Sequence, residues 1–297
     1  MTAMSSPSQT LPSPAPATEP DLLSLRAELD RLDDTLHDTL MRRAEVVLQV
    51  ASLRVKGSVP LRPGREAAII RRLLARHSGA MPGRGIVRIW RELLATTTAQ
   101  QRSLLVAVCQ ADGSDLYLAA AREHFGALTP LRAHRTPAQA IGEVGAGTAT
   151  VAVLPMPVEG DAPAAAWWTA LLRTDGPRIH VVGRLPFWTP RPEGSPQVQA
   201  LLVSAADPDP SGRDRSLLGL ELPLDVSRAQ LGAAVAAAGF QAGTTILRHD
   251  SGAPAAHALV DVDGFVGDDD PRLAMLQPVL RPPVVLGVYA EPLSGED

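Results

Sequence analysis

One stretch constrains this chain more than any other. From Asp21 to about Lys56, the residues Leu25, Leu29, Leu32, Leu36, Leu40, Val47 and Val50 recur at helical spacing and mark one apolar face. Asp21 after Pro20 supplies an acidic N-cap, and Gly57, Pro60 and Pro63 close the run. A helix of roughly 35 residues is a rod of about 50 Å, longer than a small domain can cover. Its stripe has to be buried against a partner, most simply a second copy of itself. Two positions that continue the rhythm are arginines, Arg43 and Arg54. Eleven residues apart, they point the same way about 16 Å from each other. A cation on a buried seam is costly unless an anion meets it, and the seam holds no acidic residue. The seam reads as the wall of an anion-binding pocket.

Two shorter helices are expected next. Arg65 to His77 turns Ile69, Ile70, Leu73 and Leu74 inward. After the break at Gly79, Pro82 and Gly83, a third helix from Gly85 to Arg102 turns in Ile86, Ile89 or Trp90, Leu93, Thr97 and Gln101. Thr97 and Gln101 again stand where apolar residues are expected. With Arg26 at the edge of the first stripe and Arg65-Glu66 opening the second helix, the candidate set has four cations, two neutral hydrogen-bonding groups and one carboxylate. Such a set suits a reaction in which the substrate itself rearranges and the protein supplies shape and fixed positive charge. The sequence shows no nucleophilic triad, metal-ligand spacing or glycine-rich phosphate loop, so neither metal nor cofactor is expected. A single arginine beside an apolar stripe usually snorkels, so the weight lies on the set. Arg71, Arg72, Arg76, Arg84, Arg88 and Arg91 are expected to form a solvated face.

Charge is unevenly spread. Through Arg102 there are 15 basic and 10 acidic residues, a net of +5, which leaves −9 for the remainder of a chain whose total is −4. The first third therefore favours an anionic partner. Nucleic acid fits poorly, given the acidic remainder and an aromatic content of 3%. Cys109 is the one cysteine, which excludes an internal disulfide. Residues 1–20, rich in Pro, Ser, Thr and Ala, read as a disordered tail, neither signal peptide nor anchor. No apolar run is long enough to span a membrane, so the expected compartment is the cytoplasm.

Beyond Arg102 short strands alternate with helices. Strands are expected at 104–109, 132–135, 150–154 and 179–182. Helices are expected at Leu116–Phe125, from the Thr136 capping box to Val144, and at 164–172. This is an α/β lobe with a parallel sheet. Pro186 to Pro196 carries four prolines and reads as a linker. From Val198 a second unit follows, with strands at Leu217–Leu222, 244–248, 257–262 and 284–289. A helix capped by Ser227 and a short one at 271–276 complete a ferredoxin-like β-α-β-β-α-β order.

The first third resembles the all-helical chorismate mutases, whose three-helix subunits form an intertwined dimer. The resemblance covers Leu22 to Gln101. It is carried by the blocks from Leu25-Arg26 to Leu32-Asp33, Arg42-Arg43-Ala44-Glu45, Arg62-Pro63-Gly64-Arg65-Glu66, and Trp90-Arg91-Glu92 running to Thr97 and Gln101. The resemblance implies a Claisen rearrangement of chorismate to prephenate in aromatic amino acid biosynthesis. It implies that Arg43 holds one substrate carboxylate within its own subunit and that Arg26 reaches the other across a homodimer. Arg54, where the family usually has lysine, and Gln101 would face the ether oxygen that gains negative charge. Glu66 would accept from the ring hydroxyl, Thr97 would orient a carboxylate and Arg65 would support Glu66.

The remainder looks like a worn, truncated prephenate dehydratase with an ACT-like C-terminal domain. Where that family carries a Thr-Arg-Phe triplet this chain reads Val198-Gln199-Ala200, and a whole second lobe is missing before it. Dehydration is therefore expected to be absent. The expected organisation is a tail at 1–20, a helical mutase domain at 21–102, an α/β lobe at 103–197 and an ACT-like domain at 198–297. A rival expectation is a non-catalytic regulatory subunit, a mutase-like dimer that senses a metabolite or partners another shikimate-pathway enzyme.

Overall fold

A computed structural model describes residues 19–53, 59–110, 113–176 and 178–295. The expected disorder of the tail concerns residues of which 1–18 lie outside that set, as does Arg54. The chain divides into two compact units, one ending at Leu53 and the other starting at Arg54.

Among its described residues the first unit is a single helix, α1, Glu19–Ser52, starting two residues before the expected Asp21. Its long stripe is present and uncovered: Leu25, Leu29, Leu32 and Leu36 are between 51% and 60% exposed. Thr35 and Thr39 donate their hydroxyls to the carbonyls of Arg31 and Thr35, which reconciles polar β-branched residues with the helix.

The second unit opens with α2, Pro63–Ala75, and α3, Gly83–Gln101. Proline at the first helical position suits α2, since its missing N–H would have no helical partner there. The other free N–H groups of that turn are met from far along the chain. The Asp209 carboxylate accepts from Gly64 N–H at 3.1 Å and Arg65 N–H at 2.9 Å, and Arg62 Nε joins it at 3.1 Å.

The rest is built on β1 Val106–Cys109, β2 Leu131–His134, β3 Val151–Pro155, β4 His180–Leu185, β5 Trp188–Thr189, β6 Ala200–Ser204, β7 Asp214–Leu222, β8 Ala242–Arg248, β9 Ala256–Asp263, β10 Val284–Ala290 and β11 Leu293–Ser294. Helices α4 Leu116–Phe125, α5 Pro137–Gly145 and α6 Arg228–Ala237 lie between them. The expected capping boxes are formed: Thr136 with Gln139 opens α5, and Ser227 with Gln230 opens α6. Gly126 ends α4 with φ +90°, a conformation that favours a residue without Cβ.

Nine strands make one sheet in the order β2-β1-β3-β6-β4-β10-β7-β9-β8. Its last four strands, all antiparallel, show the ferredoxin-like order expected from the sequence. The other part is mixed, where a parallel sheet is expected. β1 runs parallel to β2 and β3, but β6 runs antiparallel to both β3 and β4. The short apolar run Ala200–Ser204 forms this inserted strand. The expected helix at 164–172 is a 3-10 helix at Trp167–Leu172.

The expected linker is not a free connection. Phe187 is buried, and β5 pairs in parallel with β11. Phe187, Ala290 and Leu293 pack with Ala67 and Ile70 of α2 and Val87 and Leu94 of α3, which fastens both helices to the α/β part.

Candidate functional site

The candidate residues fall in both units. On α1, Arg26 is exposed and Arg43 is half-buried, with its Nη1 buried and without a hydrogen-bond partner. Burial holds the Arg43 guanidinium below its ordinary pKa. Arg54, on which the ether-oxygen role depends most, lies outside the described residues.

In the second unit, α2 places Arg65 and Glu66 in its first turn. Arg65 is exposed. The Glu66 carboxylate accepts from Arg91 Nη1 of α3 at 3.0 Å, with side chains 15% and 7% exposed. Burial raises the Glu66 pKa, Arg91 opposes that shift, and Asp209 adds to it. Burial lowers Arg91 to about 10, against the pull of Glu66, so it stays charged at neutral pH. His124 of α4 lies 3.4 Å from Arg91 Nη1. Burial first, and Arg91 second, hold His124 well below the ordinary histidine value, so its ring is neutral. The Arg91 guanidinium also sits 4.3 Å from the centroid of the Phe187 ring.

Near the end of α3, Thr97 is buried and its hydroxyl is turned onto its own helix, 2.8 Å from Leu93 O and 3.2 Å from Leu94 O. Gln101 Nε2 donates to Thr97 O at 3.2 Å, while its Oε1 is buried without a partner. The structure thus joins Glu66 to Arg91 and Gln101 to Thr97.

Two arginines expected on a solvated face are not there. Arg91 is 6% exposed. Its position follows Val87 by four and precedes Leu94 by three, a periodic signal for a buried face one step round from the expected one. Arg71 is half-buried and donates to Ser211 Oγ at 2.8 Å, Arg213 O at 3.1 Å and Glu291 O at 2.7 Å. No local signal marks that role, because its acceptors are about 140 residues or more away in sequence. Arg72, Arg76, Arg84 and Arg88 are exposed as expected.

Among the described residues no cluster of three or more His, Cys, Asp or Glu side chains could hold a metal ion. Nor is any helix among them long and apolar enough to cross a membrane.

Residues 25–102 match the family described as chorismate mutase type II. The bifunctional chorismate mutase/prephenate dehydratase of Pseudomonas aeruginosa is 29% identical over 149 residues, covering 47% of this chain and 40% of that protein. The protein of the same description from Neisseria gonorrhoeae is 30% identical over 105 residues, covering 35% of this chain and 28% of that one. The chain therefore spans less than half the length of these relatives. A crystal structure of prephenate dehydratase from Arthrobacter aurescens in complex with L-Phe aligns over 63% of this chain and 90% of its own, with 15% identity and a TM-score of 0.47.

Proposed function

We propose, from the match of residues 25–102 to the chorismate mutase type II family, that this chain rearranges chorismate to prephenate without a cofactor. That match, over the stretch holding every candidate residue, is the observation that carries the reading. In a pericyclic step no group on the protein needs to attack. Rate comes from holding the compact conformer of the substrate and from meeting the charge that grows on the ether oxygen. Arg26 and Arg43 bind the two carboxylates. Arg54 and Gln101 stabilise the oxygen, Gln101 through the amide hydrogen that it does not give to Thr97. Glu66 accepts from the ring hydroxyl, Thr97 orients a carboxylate, and Arg65 supports Glu66.

The active form in this reading is a homodimer. The support is the leucine stripe of α1: four leucines, each more than half exposed, on one helix face are what a second copy would cover. The site is shared, so Arg26 comes from the other copy. The reaction takes place in the cytoplasm. Residues 198–297 form an ACT-like domain and 103–197 an α/β lobe without dehydratase activity, since Val198-Gln199-Ala200 offers neither the hydroxyl nor the guanidinium of the Thr-Arg-Phe triplet.

One observation favours a second reading. The Glu66 carboxylate is tied to Arg91 and the Thr97 hydroxyl to its own helix, so two candidate groups are already engaged. On that reading the chain is a non-catalytic subunit that partners another enzyme of the shikimate pathway.

Incubating the purified protein with chorismate, and assaying prephenate and phenylpyruvate, separates the two. Formation of prephenate alone is expected. Arg43→Ala is expected to lose about 100-fold or more in kcat/KM while remaining a folded dimer by circular dichroism and light scattering. No turnover, with chorismate or a partner still bound, would favour the subunit reading. Phenylpyruvate would overturn the account of residues 103–297.

A further inference from the structure

A cavity of about 380 Å³ lies wholly within the second unit, between the start of α3, the end of α4 and the segment that follows β4. Nothing in the mutase reading uses it. Its size is at the small end of the range for ligand pockets. The walls are largely apolar, with Val87, Leu185, Phe187, Trp188 and Pro192 among them. Four arginines line it, the buried Arg91 and Arg191 and, at its exposed rim, Arg84 and Arg88, against the one acidic residue Glu123.

Two of the four arginines have an acid as neighbour and two have none in the lining. Glu123 is taken by Arg191, whose Nη1 donates to Oε1 at 2.6 Å and whose Nη2 meets Oε2. Arg91 has Glu66 as its acid, and Glu66 is not among the lining residues. Even counting that carboxylate, the lining keeps a surplus of positive charge, carried by the exposed Arg84 and Arg88 at its rim. The Nε atoms of both Arg91 and Arg191 are buried without a hydrogen-bond partner, and the two side chains are only 7% and 9% exposed. Buried N–H donors of this kind ask for an acceptor. His124, also in the wall, is neutral and adds no competing charge.

We infer that this cavity binds a small organic monocarboxylate with an aromatic or branched apolar body, the carboxylate meeting the arginines and the body lying against Phe187, Trp188 and Val87. A carboxylate accepts well from guanidinium donors, and the walls remove the rest of the molecule from water. A neutral analogue of the same shape loses the first interaction and keeps the second. The site stands apart from the residues assigned to chorismate, apart from the link from Arg91 to Glu66.

Isothermal titration of the full chain with 3-phenylpropionate and with 3-phenylpropanamide tests this. Saturable one-to-one binding of the acid is expected, roughly ten-fold or more tighter than the amide. The Arg88→Gln/Arg191→Gln double variant, checked for folding by circular dichroism, is expected to weaken the acid roughly ten-fold or more. Should it fail to fold, Arg88→Gln alone, at an exposed position, is expected to weaken the acid measurably. Arg43→Ala is expected to bind the acid as the parent does, which separates this cavity from the chorismate site. Equal affinity for acid and amide would overturn the inference. So would no binding of the acid at about 10 mM, an unchanged affinity in the folded arginine variants, or loss of binding in Arg43→Ala.

Discussion

A guanidinium that is 6% exposed has to be answered by other groups, and Arg91 is answered by a carboxylate and an aromatic face. Removing one partner of such a pair leaves the other as an uncompensated buried charge. Arg91→Ala is therefore expected to cost about 3–5 kcal/mol, measured by urea unfolding, whereas Arg91→Met with Glu66→Gln is expected to cost clearly less. If the double variant is as unstable as the single, the pair is not the source of the loss. His124 carries a separate pH dependence. Its pKa is depressed in the folded protein, so below the unfolded value of about 6.5 the unfolded chain binds a proton that the folded chain refuses. The His124 contribution is intact above that value and is lost as pH falls beneath it. The raised pKa of Glu66 acts the other way and in a lower range, favouring the folded state as pH falls towards its unfolded value. The midpoint of thermal unfolding should thus fall from about pH 7 to about pH 5.5, and His124→Gln should flatten that fall. An equal slope in the two proteins would remove His124 as the cause.

At the scale of elements, legibility followed locality. Helix α4 runs from Leu116 to Phe125 as expected, because its stop, Gly126, is adjacent to it. Helices α5 and α6 start where their capping boxes do, since each box closes within four residues. What the sequence hid is what depends on distant partners. Strand β6 is visible as a short apolar run, but nothing local says that it inserts between β3 and β4. The inner face of α3 is displaced from the expected one because Glu66, His124 and Phe187 draw Arg91 in. The entry to α2 is another such case. The acceptor for its first N–H groups is Asp209, and Gly64 lies so close that a Cβ there would fall on the Asp209 carbonyl oxygen. Backbone cannot give way as a flexible side chain can. Gly64→Ala is therefore expected to destabilise the second unit by about 2 kcal/mol or more, although alanine is the better helix former. Asp209→Ala, which loses the cap and a half-exposed ion pair with Arg62, should cost about 1 kcal/mol. The reverse order in chemical denaturation would contradict the close approach.

Across the whole molecule the composition shifts at Arg102 and Pro196 suggest separate modules, and residues 25–102 do match one family by themselves. One sheet nevertheless crosses the expected boundary at 197/198, since β6, which follows it in sequence, lies between β3 and β4. Its two parts meet where β4 lies parallel to β10, through the single registered pair Val181 and Gly287. Gly287 has φ +145°, and a Cβ on it would fall on the Val181 backbone. The ladder between β10 and β7 shifts its register at the same place, between Val285 and Gly287. A residue without a side chain is thus what allows the ferredoxin-like strands to continue the α/β sheet. Core residues on both sides of the join, Val181, Leu217 and Leu286, belong to one buried cluster, so the two parts share a core as well as a ladder. Elements that share a core unfold together. Calorimetry of the full chain should therefore show one transition for this sheet. Gly287→Val should lower it by several degrees and break it into two, because the strands on either side keep their own partners while the join between them is lost. A Gly287→Val protein that unfolds in one step at the parent temperature would show that the join carries no strain and that a side chain can be accommodated there.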